Sequence, residues 1–399
     1  MYLTKSLNKV LCVVLTSCGL VFPPVHAGNF DEWKKQQISG YTQVKDEFAE
    51  YKAELNAAFD EYKRKTAAVW GKDNAEPDSK RWITYVDKLN QRSVVDFEEG
   101  TVVVEVAVPV EQVVDDEQGK KELEQALVKA IRQGEDKRPI QEVAEHPVSK
   151  PTGEDVLTGQ LSLPDGTAAK AEDYPALAQN AAANATKKTI TGDDGQKRVV
   201  YQTQLRLVPN HIRLRASKYQ NLVNKYSAEF DISPAVVFAV METESMFNPT
   251  ARSGAPAFGL MQLVPTSGAR DAYRHVFKTD KVVSDTYLYD PENNVRLGAA
   301  YINRLYTGYL SGIESDESRL LATIAAYNTG AGNVFRTFAG KYNKRKHGSY
   351  RKYKTAALYE INRLTPGQFY QRMRLNLPYE ETRHYIKKVT DRMTKYEAG

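Results

Sequence analysis

The pattern of hydrophobic and polar positions changes twice along the chain. In residues 28–72, apolar side chains recur mostly at three- and four-residue steps among charged residues, which predicts a long amphipathic helix. Residues 73–208 contain runs in which every second position is apolar, which predicts strands between shorter helices. From 209 to 399 the pattern is that of helices. We therefore expect an α+β N-terminal domain preceded by a long amphipathic helix, and a mainly α-helical C-terminal domain.

The apolar stripe of the predicted 28–72 helix has two interpretations. It packs against its own domain or a second helix, or it forms a coiled-coil or surface-binding arm. We favour packing, which is the commoner use of such a stripe. The stripe consists of Phe30, Trp33, Tyr41, Val44, Phe48, Tyr51, Leu55, Phe59 and Tyr62.

A β-hairpin is predicted near the start of the α+β domain. Its strands, Val94–Phe97 and Thr101–Val108, flank a turn at Gly100, and alternate valines would share one face. The sequence of this domain contains no metal-ligand spacing, phosphate-binding glycine loop or nucleophile motif, so we expect a positioning or partner role. The other predicted elements are a helix at Asp115–Gln133, strands at Val156–Leu163 and Arg198–Val208, and a short helix within 170–187.

The C-terminal domain contains a helix with an acidic residue in an unusual place. Ser233 and Pro234 are typical of a helix start, and Asn248 with Pro249 ends the helix. Glu244 shares the face of this helix that carries its apolar side chains. A carboxyl group held away from water has a raised pKa and can donate a proton near neutral pH. Alternatively, its carboxylate bends outward into solvent.

The remaining helices of this domain are defined by apolar stripes and by their end signals. Glu242 points away from the stripe that carries Glu244, so we expect it to be solvated or structural. The predicted helices are Ile212–Phe230, a helix that starts at Asp290 and Pro291, the apolar Leu320–Tyr327 that ends at Asn328 to Gly332, and a last helix that carries Glu381 to Tyr385.

The first 27 residues have the layout of a secretory signal, with lysines ahead of a short apolar run. Two processing sites compete. Leu15–Cys18 is similar to a lipobox, which would leave Cys18 acylated and tether the protein to the outer membrane, whereas cleavage after Ala27 would release it into the periplasm. We favour the tether because the chain has only two cysteines, Cys12 and Cys18.

The net charge of +5 on 399 residues is too small to indicate nucleic acid, although it is compatible with an anionic polymer or a lipid surface. Residues 336–354 combine eight Lys and Arg with tyrosines. The export signal argues against nucleic acid as a partner for this segment. A solvated basic loop is the favoured interpretation, and contact with anionic stem peptides or lipid headgroups is the alternative.

An ordered set of short motifs resembles that of the soluble-lytic-type transglycosylases. The resemblance covers about 209–396, and the region before it is similar to the N-terminal domain of the membrane-bound lytic murein transglycosylase C family. The motifs are Glu244-Ser245, Phe247-Asn248-Pro249, Ser253, Gly259-Leu260-Met261-Gln262, Ala326-Tyr327-Asn328 with Gly330, and Glu381-Thr382-Arg383 with Tyr385.

The resemblance implies a lysozyme-like C-terminal domain that cleaves the β-1,4 bond between N-acetylmuramic acid and N-acetylglucosamine in peptidoglycan. Glu244 would donate a proton to the glycosidic oxygen and then take one from the 6-hydroxyl of the muramic acid, which leaves a 1,6-anhydro end. No metal or other cofactor is expected. A muramidase-type hydrolase on the same fold, or a non-catalytic wall-binding scaffold, are the alternatives.

The resemblance also implies a set of substrate-binding residues. Ser253 would orient the substrate, although a serine in such a loop also serves as a turn residue. Met261 and Gln262 would contact sugar in the groove, by apolar contact and by amide hydrogen bonds respectively. Tyr327 and Asn328 would form the wall beside Glu244, and Tyr385 would lie near the cleavage point.

Overall fold

In the part of the chain that the structure describes, five antiparallel strands form the sheet of the N-terminal domain, in the order β1-β2-β3-β5-β4. The structure is a computed structural model that describes residues 49–50, 53, 56–57, 59–132, 157–253 and 257–397, all within one unit, Phe48–Gly399. The predicted hairpin is confirmed, because β2 and β3 pair from Asp96 with Thr101 to Gln91 with Val106. The strands are β1 (Arg81–Val86), β2 (Gln91–Asp96), β3 (Thr101–Pro109), β4 (Thr186–Thr191) and β5 (Lys197–Arg206).

Both faces of this sheet are covered. The predicted row of alternate valines on β3, from Val102 to Val108, faces helices α2 (Asp116–Ile131) and α3 (Tyr174–Ala183) in one hydrophobic core. The helix within residues 59–70, α1, covers the opposite face. Since side chains alternate across a strand, one strand supplies both cores.

Helix α1 packs its aromatic side chains against its own domain. Tyr62 and Trp70 are fully buried and approach Tyr85 of β1 edge-on, with ring centroids 5.9 and 6.2 Å apart. The Arg92 guanidinium lies over the Trp70 ring at 4.0 Å. The described end of the predicted 28–72 helix therefore packs as favoured. Its residues 28–48, 51–52, 54–55 and 58 lie outside the described residues, as do the signal segment 1–27 and Cys18.

The C-terminal domain consists of helices around a second large core, which confirms the mainly helical domain expected over 209–399. Helices begin where the sequence offers caps, since Ser233, Asp290, Ser315 and Thr365 each accept a backbone N–H. The helices are α4 (His211–Lys218), α5 (Gln220–Glu229), α6 (Pro234–Ser245), α7 (Gly268–Phe277), α8 (Asp285–Tyr289), α9 (Pro291–Arg304), α10 (Asp316–Thr329), α11 (Ala331–Ala339), α12 (Lys344–His347), α13 (Tyr350–Asn362), α14 (Pro366–Asn376) and α15 (Glu380–Glu397).

Two sequence predictions are corrected by the fold. The strand expected at Val156–Leu163 is reduced, in its described part, to turns and two isolated bridges at Leu161 and Ser162, because Gly159 adopts a left-handed conformation there. The single helix expected at Ile212–Phe230 is two helices, broken at Tyr219. Strands β1 and β4 were not predicted. Strand β4 is largely polar and exposed at the sheet edge, so it lacks the alternation that identifies a half-buried strand.

Two surface properties bear on partners. No helix in the described ranges is both long and apolar enough to cross a membrane. The basic segment 336–354 runs from α11 into α13, and most of its cations are exposed.

A buried ion pair connects β2 and β3 on the face of the sheet that α1 covers, and its loss should destabilise the fold. Arg92 Nε donates to Glu105 Oε2 at 2.6 Å, and both side chains are 5% exposed. Glu105→Gln would leave the Arg92 charge buried without its carboxylate, so we expect the free energy of unfolding to fall by about 3 kcal/mol in urea denaturation. Asp391→Asn, which breaks the exposed pair with Lys387, should change it little. Equal effects of the two substitutions would contradict this assignment.

Candidate active site

Glu244 lies in the last turn of α6, a helix buried along most of its length. Ser233 caps the start of the helix by accepting the Ala235 N–H at 3.2 Å, and Pro234 occupies the first turn. The remaining residues are mostly apolar, so they pack on several sides into the core of the helical domain. The helix therefore holds its end, and Glu244 with it, within the domain.

Left-handed residues turn the chain sharply after this helix. Met246 and Phe247 have φ values of 50° and 59°, a conformation that side chains with a Cβ disfavour. Ser245 is fully buried, and its hydroxyl donates to the Leu260 carbonyl at 2.7 Å. This bond ties the end of α6 to the segment around Gly259 to Gln262.

The Glu244 carboxyl is partly buried, and burial raises its pKa to about 7. The Glu381 carboxylate acts in the same direction. Tyr385 and the Lys80 ammonium act in the opposite direction, because each stabilises the charged carboxylate. The balance leaves a carboxyl group that holds its proton close to neutral pH.

Two tyrosines flank this carboxyl. Tyr327, at the end of α10, donates its hydroxyl to the Met261 carbonyl at 2.8 Å. Tyr385, on α15, is buried, and its hydroxyl has no hydrogen bond of ordinary geometry among the described residues, although it interacts with Glu244. Burial and the Glu244 charge raise the pKa of both phenols, so both remain protonated donors.

The segment from Gly259 to Gln262 is held by a buried amide. Asn294 of α9 accepts the Met261 N–H at 2.8 Å and donates to the carbonyls of Phe258 and Leu288 at 2.9 and 2.6 Å. Gly259 has φ +76°, and a Cβ there would lie 2.2 Å from the Leu288 carbonyl oxygen, so only glycine fits. The motif therefore forms a rigid turn.

The side chains of Met261 and Gln262 both make contacts within the protein. The sequence predicted that the Met261 side chain would line a sugar groove, but it is fully buried against Gly298 of α9, so none of it is exposed for a sugar to contact. Gln262 uses its amide NH₂ to bind the Ala251 and Gly259 carbonyls at 2.9 and 3.0 Å. Its Oε1 is buried and has no partner in the part of the chain that the structure describes.

Asn328 connects two helices beside the site. It accepts the Thr382 hydroxyl at 2.7 Å and donates to Glu381 at 3.4 Å. Thr382 is 1% exposed. These bonds fix α10 against α15, and thereby fix Tyr327 relative to Tyr385.

Ser253 and Glu242 have different surroundings. Ser253 is half-buried, and its N–H donates to the Ala257 carbonyl at 3.2 Å, beside residues 254–256, which lie outside the described ranges. Glu242 is 4% exposed and binds Arg392 at 3.2 Å and Lys395 at 3.0 Å, as well as the Tyr396 hydroxyl. Of the two roles expected for Glu242, the structural one holds and the solvated one is wrong.

Several residues of the site were not assigned a role from the sequence. Ser245, Glu381 and Thr382 stand within the motifs, so the motifs signalled their importance but not their contacts. Asn294 is a polar residue next to the apolar stripe of its helix, a weak signal. Nothing in the sequence indicated a role for Lys80, because it belongs to the N-terminal domain and lies outside the motifs. Within the described ranges, no group of three or more His, Cys, Asp and Glu is arranged to hold a metal ion.

Two family models match the chain. The model of the transglycosylase SLT domain matches residues 221–349. The model of the membrane-bound lytic murein transglycosylase C N-terminal domain matches residues 48–218. Together they match most of the N-terminal domain and the first part of the helical domain, in the same order as in the fold.

Curated relatives extend this similarity over most of the chain. Membrane-bound lytic murein transglycosylase C of Klebsiella pneumoniae subsp. pneumoniae is 35% identical over 334 residues, which are 82% of this chain and 85% of the relative. The Salmonella arizonae protein of the same name is 32% identical over 329 residues, with the same coverage. That of Serratia proteamaculans is 33% identical over 335 residues, 82% of this chain and 86% of the relative.

Solved structures resemble only part of the chain. An inactive mutant of the lytic transglycosylase Slt from Pseudomonas aeruginosa and the 70-kDa soluble lytic transglycosylase of Escherichia coli each have 24% identity and a TM-score of 0.34. Each match covers 45% of this chain and 24% of the other chain. Similarity at this level adds nothing to what the two family models establish.

The raised pKa of Glu244 makes fold stability depend on pH. Between about pH 4.5, the usual carboxyl value, and about 7, the unfolded chain loses this proton while the native protein keeps it. Stability is therefore lost as pH rises through this window, by up to about 3 kcal/mol. Glu244→Gln cannot lose a proton, so above pH 7 it should melt at a higher temperature than the wild type.

Thermal melts at pH 4 and pH 8 measure this effect. The difference between Glu244→Gln and the wild type should be small at pH 4 and full at pH 8. Glu380→Gln, on the exposed start of α15, is the matched control and should show no such pH dependence. A Glu244→Gln protein that is no more stable than the wild type at pH 8 would rule out a desolvated carboxyl.

Proposed function

Because the chain belongs to the membrane-bound lytic murein transglycosylase C family, an enzyme family that acts on peptidoglycan, we propose that Glu244 is its catalytic acid and base. The observation that supports this role most strongly is the pKa of about 7 for a carboxyl at the end of a buried helix. A proton donor is most effective when its pKa lies near the working pH.

In the first step, Glu244 transfers its proton to the oxygen that links N-acetylmuramic acid to N-acetylglucosamine. The bond from the muramic C1 to this oxygen breaks, and N-acetylglucosamine leaves with the proton as a hydroxyl group. Positive charge develops on the muramic ring. The newly formed Glu244 carboxylate is the nearby negative charge that stabilises it.

In the second step, the 6-hydroxyl oxygen of the same muramic residue attacks C1. Its proton passes to the Glu244 carboxylate, which returns to its starting state, and the product is a 1,6-anhydro end. No water enters the balance, so one carboxyl group is sufficient, in contrast to the two that most glycoside hydrolases use. Glu381 acts on Glu244 through its charge, and its carboxylate is bound by Asn328 at 3.4 Å.

The surrounding residues support this cycle. The Tyr385 hydroxyl, buried beside Glu244 without another partner among the described residues, stabilises the carboxylate formed in the first step. Gln262 binds an acetamido N–H or a sugar hydroxyl once its buried, unpaired Oε1 becomes accessible. Tyr327 and Asn328 form the adjacent wall, and Ser253 orients the substrate from the loop. Met261 contributes by supporting the turn that carries Gln262.

We also propose that the protein is exported and tethered to the outer membrane through an acylated Cys18. The lipobox pattern at Leu15–Cys18 supports the tether, and so does the word membrane-bound in the names of the relatives. Cleavage after Ala27, with release into the periplasm, is the alternative.

Digestion of purified peptidoglycan tests the reaction. Mass spectrometry should find 1,6-anhydromuramic ends from the wild type, and Glu244→Gln should reduce their rate of formation by about 10²–10⁴-fold. The protonated acid starts the reaction, so kcat should be flat below pH 7 and fall above it. Glu380→Gln serves as the control.

Three results would contradict the proposal in different ways. Reducing muramic ends would indicate a hydrolase on the same fold. An unchanged rate in Glu244→Gln would remove this residue from the chemistry. No cleavage by the folded wild type would favour a non-catalytic scaffold.

Fractionation of cells tests the tether. Cys18→Ser should move the protein from the membrane fraction to the soluble periplasmic fraction, because the thiol is the acylation site. Cys12→Ser, in the same leader, should leave the distribution unchanged. A mature N-terminus at an unmodified Gly28 would show that the protein is released instead.

A further inference from the structure

The backbone after Glu244 is strained. Met246 and Phe247 are successive left-handed residues with side chains 2% and 1% exposed. A pair of this kind persists only where the surroundings fix it. Strained backbone of this type is concentrated at functional sites, so the contacts that hold this pair are of interest.

Arg215 of α4 holds the strained pair. Its Nε donates to the Met246 carbonyl and its Nη2 to the Phe247 carbonyl, both at 2.9 Å. The side chain is 4% exposed. A planar guanidinium can bind two adjacent carbonyls at a fixed spacing, which a lysine ammonium cannot do.

The N-terminal domain holds Arg215 in turn. The centre of the Arg215 guanidinium lies 3.6 Å from the centre of the Phe97 ring, which is close for a cation–π contact. Phe97 is fully buried at the turn between β2 and β3, and its N–H donates to the Lys80 carbonyl at 3.1 Å. The ring is therefore a fixed platform beneath the guanidinium.

The Met246 side chain makes a second connection to the same domain. It packs with the hydrophobic core on the α2 side of the sheet, although it belongs to the turn after α6. The N-terminal domain thus contacts the Met246 side chain directly and supports the Met246 backbone through Arg215.

We propose that Arg215 and Phe97 are positioning residues of the cleavage reaction, which fix the last turn of α6 and with it the direction of the Glu244 carboxyl. This inference rests on the proposed role of Glu244. A displacement of about 1 Å at a catalytic group can reduce the rate by about 10²-fold. The N-terminal domain would then contribute to the chemical step itself.

The position of the last helical turn also determines what surrounds Glu244. The charged and titratable groups that act on it are Glu381 and Tyr385 of α15, Tyr327 of α10 and Lys80 of the N-terminal domain. If this turn loosens, the carboxyl becomes more hydrated and its pKa falls from about 7 towards its usual 4.5. A smaller fraction of the enzyme then carries the proton at neutral pH.

Arg215→Lys and Phe97→Leu test the proposal without adding bulk. On purified peptidoglycan we expect kcat to fall about 10- to 100-fold with KM within about 3-fold of the wild type. We also expect the alkaline limb of the kcat–pH profile to move to lower pH. A residue that only stabilises the fold would lower the melting temperature and the active fraction, but would leave the pH limb in place.

The matched control is Arg213→Lys, an exposed arginine on the same helix, which should change neither kcat nor the pH limb. If Arg215→Lys folds poorly, Phe97→Leu carries the test, because it leaves both carbonyl hydrogen bonds in place. An unchanged pH limb in the folded variants would overturn the inference. If Glu244→Gln were fully active, the proposed function itself would fail, so the two failures are distinguishable.

Discussion

The withdrawal of one carboxyl group from water is the physical constraint on which the rest of this structure depends. A charged Glu244 is unfavourable at the end of a helix buried in the core, so the group keeps its proton to about pH 7. The helix can hold such a residue there because the large apolar core around it compensates for one unfavourable group. Burial of Glu244 lowers the stability of the fold, and it also makes this carboxyl a proton donor suited to neutral pH.

The site around this carboxyl is built mainly from side chains that bind main-chain carbonyls. Ser245, Asn294, Tyr327 and Arg215 each donate to carbonyl groups of the turns that follow α6. These turns lack regular helix or strand partners, and buried carbonyls need donors. Polar side chains on rigid helices therefore supply the order that secondary structure supplies elsewhere.

Much of this organisation could be predicted from the sequence, in the places where the local repeat of apolar residues determines the direction of the side chains. The placement of Glu244 follows from the helical repeat, and the hairpin from alternate valines that flank Gly100. Most contacts of Arg215 and Asn294 could not be predicted, because the hydrogen-bond partners are backbone atoms more than 30 residues away in the chain. The break at Tyr219 and the burial of Met261 depend on packing between elements, which a one-dimensional pattern does not contain.

The edge strand β4 affects how readily the protein aggregates with other molecules. Strand β4 is the last strand on one side of the sheet as the structure describes it, and it carries Lys187 and Lys188, which pair with Asp116 and Asp73 of the same chain. An edge strand with free backbone groups can recruit a strand from another molecule, and charged lysines oppose this. Lys187 and Lys188 are among the polar residues that prevented the prediction of β4 from the sequence. The same two residues oppose aggregation through the edge of the sheet.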